Sequence, residues 1–273
     1  MAASRRQATS NRTSWIIVGV VLVLGLAAIV AIVATRGGTK TNDAGSAAVT
    51  DPASLVTTIG SVSGDTITSV GNGGVKALPT PIDAQALTAD GKPLVLYVGA
   101  EYCPYCAAER WAMVQALSRF GTFSNLTFTH SSPTDVFPNT PTLTFHGSSY
   151  QSSVVSFQGV ETQDVDKQTL DTLSETQQSL ETAYNTKGSI PWINFGGKYV
   201  ISGASYSPGV LAGKSAEEVA AILSNPGSAI TKGIVGTANI MTATICILTG
   251  DQPASACSSQ IIQDLETQIK AQS

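Results

Sequence analysis

Apolar residues fall along this chain in three distinct patterns. Trp15 to Ala34 is an unbroken apolar run with no charge in it. At about 20 residues it matches the hydrocarbon thickness of a bilayer. Leu94 to Val98 (Leu-Val-Leu-Tyr-Val) is a short apolar run bounded by Gly91-Lys92-Pro93 and Gly99, which suits a strand buried on both faces. Ala107, Trp111, Val114 and Leu117 recur at helical spacing and predict a helix with one apolar face. Pro104 fits the first turn of that helix, where a missing N–H costs nothing, and Gly121 is placed to stop it.

Weaker patterns surround this centre. Asp51 to Ser61 reads as a short helix and Asp65 to Val70 as a short strand, while Pro79 and Pro81 mark an extended connection. Leu126 to His130 alternates as a strand does, and Thr142 to Phe145 with Val154 to Phe157 reads as a strand pair around Gly147-Ser148-Ser149. Asp166 to about Tyr184 reads as a polar helix striped by Leu170, Leu173, Leu180 and Tyr184. Pro191 opens a strand, Trp192 to Phe195; Gly196-Gly197 makes a tight hairpin turn, and Tyr199 to Ser202 returns. Ser215-Ala216-Glu217-Glu218 is a capping-box pattern opening a helix through Leu223. A last helical stretch carries Cys246, and Cys257 lies beyond the loop Thr249 to Pro253.

Charge orients the first apolar run. Arg5, Arg6 and Arg12 precede it, and the first acid is Asp43. The positive-inside rule then predicts a cytoplasmic tail (1–14), a transmembrane helix (15–34), a Gly/Thr/Ser-rich tether (35–52) and an extracytoplasmic domain (53–273) in a single-pass cell-membrane protein. The rival reading, a cleaved signal peptide, fits less well. The run exceeds the usual ~7–15 residue signal core, and no small-x-small site follows it. The exported part holds all 19 acids against the remaining 12 of the 15 bases, so it repels phosphate backbones and nucleic acid is not an expected partner.

All four cysteines lie beyond the run. Outside the cytoplasm cysteines tend to be paired. Four allow three connectivities, and the spacing favours Cys103 with Cys106 and Cys246 with Cys257. A cysteine at a helix N-terminus meets unpaired N–H groups and the positive end of the dipole, which stabilise a thiolate. Cys103 is therefore the expected nucleophile, and Cys106, one turn into the helix, the resolving thiol. Pro104 and Tyr105 lie between them; Glu101 and Tyr102 precede them, with Glu101 either a nearby base or a solvated turn residue. Cys246 and Cys257 read as a structural staple. Neither a metal nor a cofactor is expected, because a single C-x-x-C has no second ligand pair at knuckle spacing in either the other cysteines or His130 and His146. Glu109 and Arg110 read as an exposed charge pair, and Trp111 as core.

The residues Leu94 to Cys106 and Ile190 to Gly203, in the order buried strand, Cys-Pro-Tyr-Cys, helix, strand, helix, proline-led hairpin, helix, resemble the thioredoxin superfamily. The stretch Gly99 to Trp111 is similar, more narrowly, to a prokaryotic family labelled domain of unknown function 929, over about Asp51 to Cys257. The resemblance implies an α/β, thioredoxin-like fold: a central mixed sheet flanked by helices, with an inserted strand pair and a C-terminal helical extension, behind one N-terminal transmembrane helix. It also implies a cis-proline, for which Ile190-Pro191 is the candidate and Thr140-Pro141 the rival. Two departures stand out: Tyr97 occupies the place of the thioredoxins' buried Asp, and Tyr102 that of the usual Trp. The expected activity is membrane-anchored, extracytoplasmic thiol–disulfide exchange on the thiols or disulfides of exported proteins, with an unidentified redox partner. The alternative is a non-catalytic binding or scaffold domain with structural disulfides.

Overall fold

A computed structural model describes residues 49–272. The predicted tail, the transmembrane run and residues 35–48 of the tether lie outside the described residues. In chain order the elements begin with α1 (Pro52–Gly60), α2 (Gly64–Val70), β1 (Thr80–Pro81), β2 (Thr88–Ala89), β3 (Lys92–Gly99) and α3 (Pro104–Leu117). Five strands follow: β4 (Gly121–Ser124), β5 (Thr127–His130), β6 (Pro141–Thr144), β7 (Ser149–Ser152) and β8 (Ser156–Glu161). Then come α4 (Glu175–Tyr184), β9 (Trp192–Phe195), β10 (Tyr199–Ser202), a 3-10 turn at Pro208–Leu211, α5 (Ala216–Ile222), α6 (Ala229–Thr249), α7 (Ala254–Cys257) and α8 (Gln260–Lys270).

The Leu94–Val98 run lies in the middle strand of a mixed sheet. β3 pairs parallel with β8 on one side and antiparallel with β9 on the other; β10 and β1 extend the sheet beyond β9, and β2 joins the first residues of β3. The pleat sends alternate side chains to opposite faces. Val95 and Tyr97 enter the main core with Ile193 and Phe195. Leu96 and Val98 enter a smaller cluster with Val160, Trp192 and Val200, covered by Leu180 and Tyr184 of α4. Both faces are thus buried, as a continuous apolar run requires. At the β9–β10 turn Gly196 and Gly197 both have positive φ (61° and 74°), the conformation that lets a two-residue turn match strand twist.

On the main-core face α3 packs against α6. α6 is long and apolar enough to cross a membrane by length and composition, yet it is buried within the fold. The disulfide Cys246–Cys257, Cα–Cα 5.7 Å, ties the end of α6 to α7, and α8 lays Ile262, Leu265 and Ile269 into the same core.

Several expectations fail for local reasons. Gly64–Val70 is a helix, not a strand: the Ser63 hydroxyl accepts the Thr66 N–H at 3.2 Å, and this N-cap outweighs the β-branched residues inside. The polar helix starts only at the Ser174–Gln177 capping box. Before it, Asp164 Oδ1 accepts the Asp166 and Gln168 N–H groups at 2.9 and 2.8 Å, a side-chain turn that competes with the helix. Leu170 and Leu173 are therefore not helical. The segments around Gly147 do not pair with each other. β6 pairs with β5, β7 with β4, and β8 runs along β3, because an alternating pattern marks a strand without naming its partner. Gly121 opens β4; α3 has already ended at Leu117.

Candidate functional site

The chain leaves β3 at Gly99 and turns through Ala100, whose carbonyl accepts the Cys103 N–H at 3.2 Å. Cys103 is the N-cap of α3, and its sulfur accepts the Cys106 N–H at 3.3 Å. Both thiols are free. Cys103 is 6% exposed and Cys106 fully buried. The Cys103 pKa falls from an ordinary 9.0 to about 7, through the side-chain hydrogen bond with Cys106 first; burial opposes it, and the Cys106 and Tyr105 N–H groups and the Arg110 charge assist. Cys106 moves the opposite way. Burial, then its hydrogen bond with Cys103, raise its pKa well above the ordinary value, while the Arg110 charge pulls it back.

The rim comes from three loops. The Ile190–Pro191 bond is cis, and the Ile190 carbonyl lies 4.0 Å from Cys103 Sγ. Pro141, in contrast, is buried at the start of β6, where its carbonyl accepts the Trp111 indole N–H at 2.8 Å. Tyr105 projects outward, 41% exposed, edge-on to Phe137 at 5.9 Å. The Tyr102 ring lies under the Lys167 ammonium at 5.0 Å, and its carbonyl accepts the Ser132 N–H at 2.8 Å. Glu101 is half-buried, its N–H donated to the Gln163 carbonyl at 2.8 Å. Cys246 and Cys257 are joined to each other and take no part in this cluster. Among the described residues no group of three or more His, Cys, Asp or Glu side chains is arranged to hold a metal ion.

The expectation of an exposed Glu109–Arg110 pair is overturned. Both are fully buried, as is every residue of α3 except Tyr105, because α3 is packed between α6 and β6 and has no solvated face. Nor do the two pair with each other. Glu109 accepts the Ser205 N–H and hydroxyl at 2.8 and 2.7 Å. With no cation among the described residues to offset it, burial raises its pKa from 4.5 to about 7, against those two hydrogen bonds. Arg110 reaches Glu161 at the end of β8, Nε to Oε1 2.8 Å and Nη2 to Oε2 3.1 Å, both side chains at zero exposure. The guanidinium also donates to the Tyr97 hydroxyl (3.1 Å), the Ala100 carbonyl (2.7 Å), the Leu143 carbonyl (3.2 Å) and Thr142 Oγ1 (3.4 Å). Burial pulls the Arg110 pKa down, but the charge of Glu161 together with Tyr97, Cys106 and the Glu161 hydrogen bond outweighs it, and the net shift is upward. The one sequence signal for this network is that Arg110 follows Cys106 by four residues, one helical turn; nothing local marks Glu161.

Residues 79–187 match the family model described as Domain of unknown function (DUF929). The match contains Cys103, Cys106, Arg110 and Glu161 and is shorter than the expected span; Pro191 and the Cys246–Cys257 bridge fall beyond it. No curated protein and no solved structure matches the chain.

Proposed function

We propose that this chain is a membrane-anchored, extracytoplasmic thiol–disulfide oxidoreductase of thioredoxin-like fold, acting on exported proteins through Cys103 and Cys106. The observation that carries the reading is the asymmetry of the pair. One sulfur caps a helix, touches the surface and has its pKa lowered to about 7; the other is sealed beneath it with its pKa raised. That is the division of labour exchange needs. Cys103 thiolate attacks one sulfur of a partner disulfide and releases the other as a thiolate, which takes up a proton. Cys106 then loses its proton and bonds to Cys103 Sγ, and the partner sulfur bonded to Cys103 leaves as a thiolate and takes up a proton. The partner disulfide is reduced and the cysteine pair oxidised; the reverse sequence oxidises a partner dithiol.

Cys106→Ala removes the resolving step, so mixed disulfides through Cys103 should accumulate on exported proteins and disappear on reduction. A Cys103→Ala chain is the control and should trap nothing. Recovery of no adducts from the Cys106→Ala chain under oxidising conditions would sink the exchange reading.

The low exposure of Cys103 favours a second reading, an inert thioredoxin-like binding or scaffold domain with structural disulfides. The reduction potential of the Cys103–Cys106 pair separates the two. A structural bridge lies below about −300 mV, an exchanging pair above it.

The anchored topology rests on the uncharged Trp15 to Ala34 run and the arginines before it. A reporter fused after Ser273 should be active outside the cytoplasmic membrane, and the chain should stay with membranes through carbonate extraction. A soluble product beginning near Thr35 would show a cleaved signal instead.

A further inference from the structure

Arg110 is, among the described residues, the Lys or Arg fully withdrawn from solvent. Burying a cation is expensive, and a well-packed apolar side chain of similar size often serves stability as well or better. Here the guanidinium is also fixed in place. It lies one turn beyond Cys106 on the same helix, with its fork held by Tyr97, Ala100, Leu143 and Glu161. The Ala100 carbonyl it binds is the one that receives the Cys103 N–H. Glu161 stands opposite Gly99 in the parallel β3–β8 register, at the point where the chain turns toward the cysteines. A Cβ on Gly99 would run into the Tyr97 hydroxyl, so the glycine leaves room for the network beneath the turn.

We propose that the buried Arg110–Glu161 pair sets the charge state of the Cys103–Cys106 thiols, Arg110 acting as a positioning residue that favours the thiolates and Glu161 as its counterweight. This rests on the reading of the two cysteines as an exchanging pair. The resolving step asks Cys106, a fully buried thiol, to become an anion before it bonds to Cys103 Sγ and expels the partner's sulfur as a thiolate. The titratable groups facing it are Cys103, Tyr97, Tyr102, Arg110 and Glu161. Arg110 is the sole cation of that set. It lowers the pKa of both thiols, and Glu161 raises that of Cys106.

The test compares Glu161→Gln with the double variant Arg110→Met/Glu161→Gln. Neither carries the buried carboxylate, so they differ by Arg110 itself, its charge and its hydrogen bonds, which Arg110→Lys separates, and the double variant strands neither member of the Arg110–Glu161 pair. The readout is the pH midpoint of each thiol, followed by the carbon chemical shift of Cys103 and Cys106 Cβ in reduced protein labelled at cysteine. Both midpoints should lie about one pH unit higher in the double variant, or about tenfold less thiolate at a given pH. Glu161→Gln alone should titrate below the native chain, and Arg110→Lys, which keeps the charge and loses the fork, close to it. A purely structural pair would instead leave the midpoints of Glu161→Gln and the double variant coincident, and that result overturns the proposal. The titration needs no redox partner. If the midpoints separate while the native chain exchanges with no disulfide, the exchange reading fails and the charge assignment stands; if the native chain exchanges and the midpoints coincide, the assignment fails alone.

Discussion

Glu109→Gln should gain stability relative to the native chain as the pH rises, by roughly 2–3 kcal/mol between about pH 5 and pH 8. The cause is a buried carboxyl with two hydrogen bonds from Ser205 and, among the described residues, no cation acting on it. Its folded pKa, about 7, lies above the ordinary 4.5. Between those two values the folded state binds more protons than the unfolded state. The stability contributed by the protonated form is therefore fully present below about pH 4.5, falls as the pH rises, and is lost above about pH 7. Glutamine keeps the shape and an acceptor for Ser205 without a titratable charge, so the variant lacks this slope. Urea midpoints of both chains across the range give the difference. Parallel curves would mean that Glu109 is solvated or paired, and would remove the account of its burial.

Arg110→Met alone should destabilise the fold by about 3–5 kcal/mol, the usual cost of stranding one member of a buried ion pair. The loss is not confined to the ion pair. The guanidinium joins the β3 side (Tyr97 and Ala100), β6 (Thr142 and Leu143) and β8 (Glu161) to α3, so its removal unties three segments from one helix. Removing both charges in Arg110→Met/Glu161→Leu should cost less than Arg110→Met alone, since no uncompensated carboxylate remains in the core. A double-mutant cycle on urea midpoints should show a coupling of about 2 kcal/mol or more. Additive losses would mean that the two groups do not interact as a pair.

Much of the centre of this fold is written locally. Leu94 to Val98 is apolar at every position, and its shortness between Gly91-Lys92-Pro93 and Gly99 is what favours a strand with two covered faces over a buried helix. Pro104, the N-cap position of Cys103 and the periodicity through Leu117 fix a helix and place one sulfur at its mouth and the other a turn inside. Gly196-Gly197 and the Ser215 to Glu218 box likewise carry their own geometry, because turn conformation and capping depend on neighbours in sequence. What periodicity could not supply was the partner of each strand. β8 reads as half of a hairpin with β6, yet it lies along β3, and that long-range pairing is what brings Glu161 beside Arg110. The same limit explains Glu109 and Arg110. Two adjacent opposite charges on a helix read as a solvated face, and only the packing of α6 and β6 around α3 turns one into a lone buried carboxyl and the other into half of an ion pair beneath the cysteines. The sequence by itself marked Cys103 and Cys106 as the candidate nucleophile and resolving thiol of the proposed exchange. The tertiary structure decided which charges they face, because a field at a buried sulfur is summed over groups that contact in space and are spread across some sixty positions of chain, from Tyr97 to Glu161.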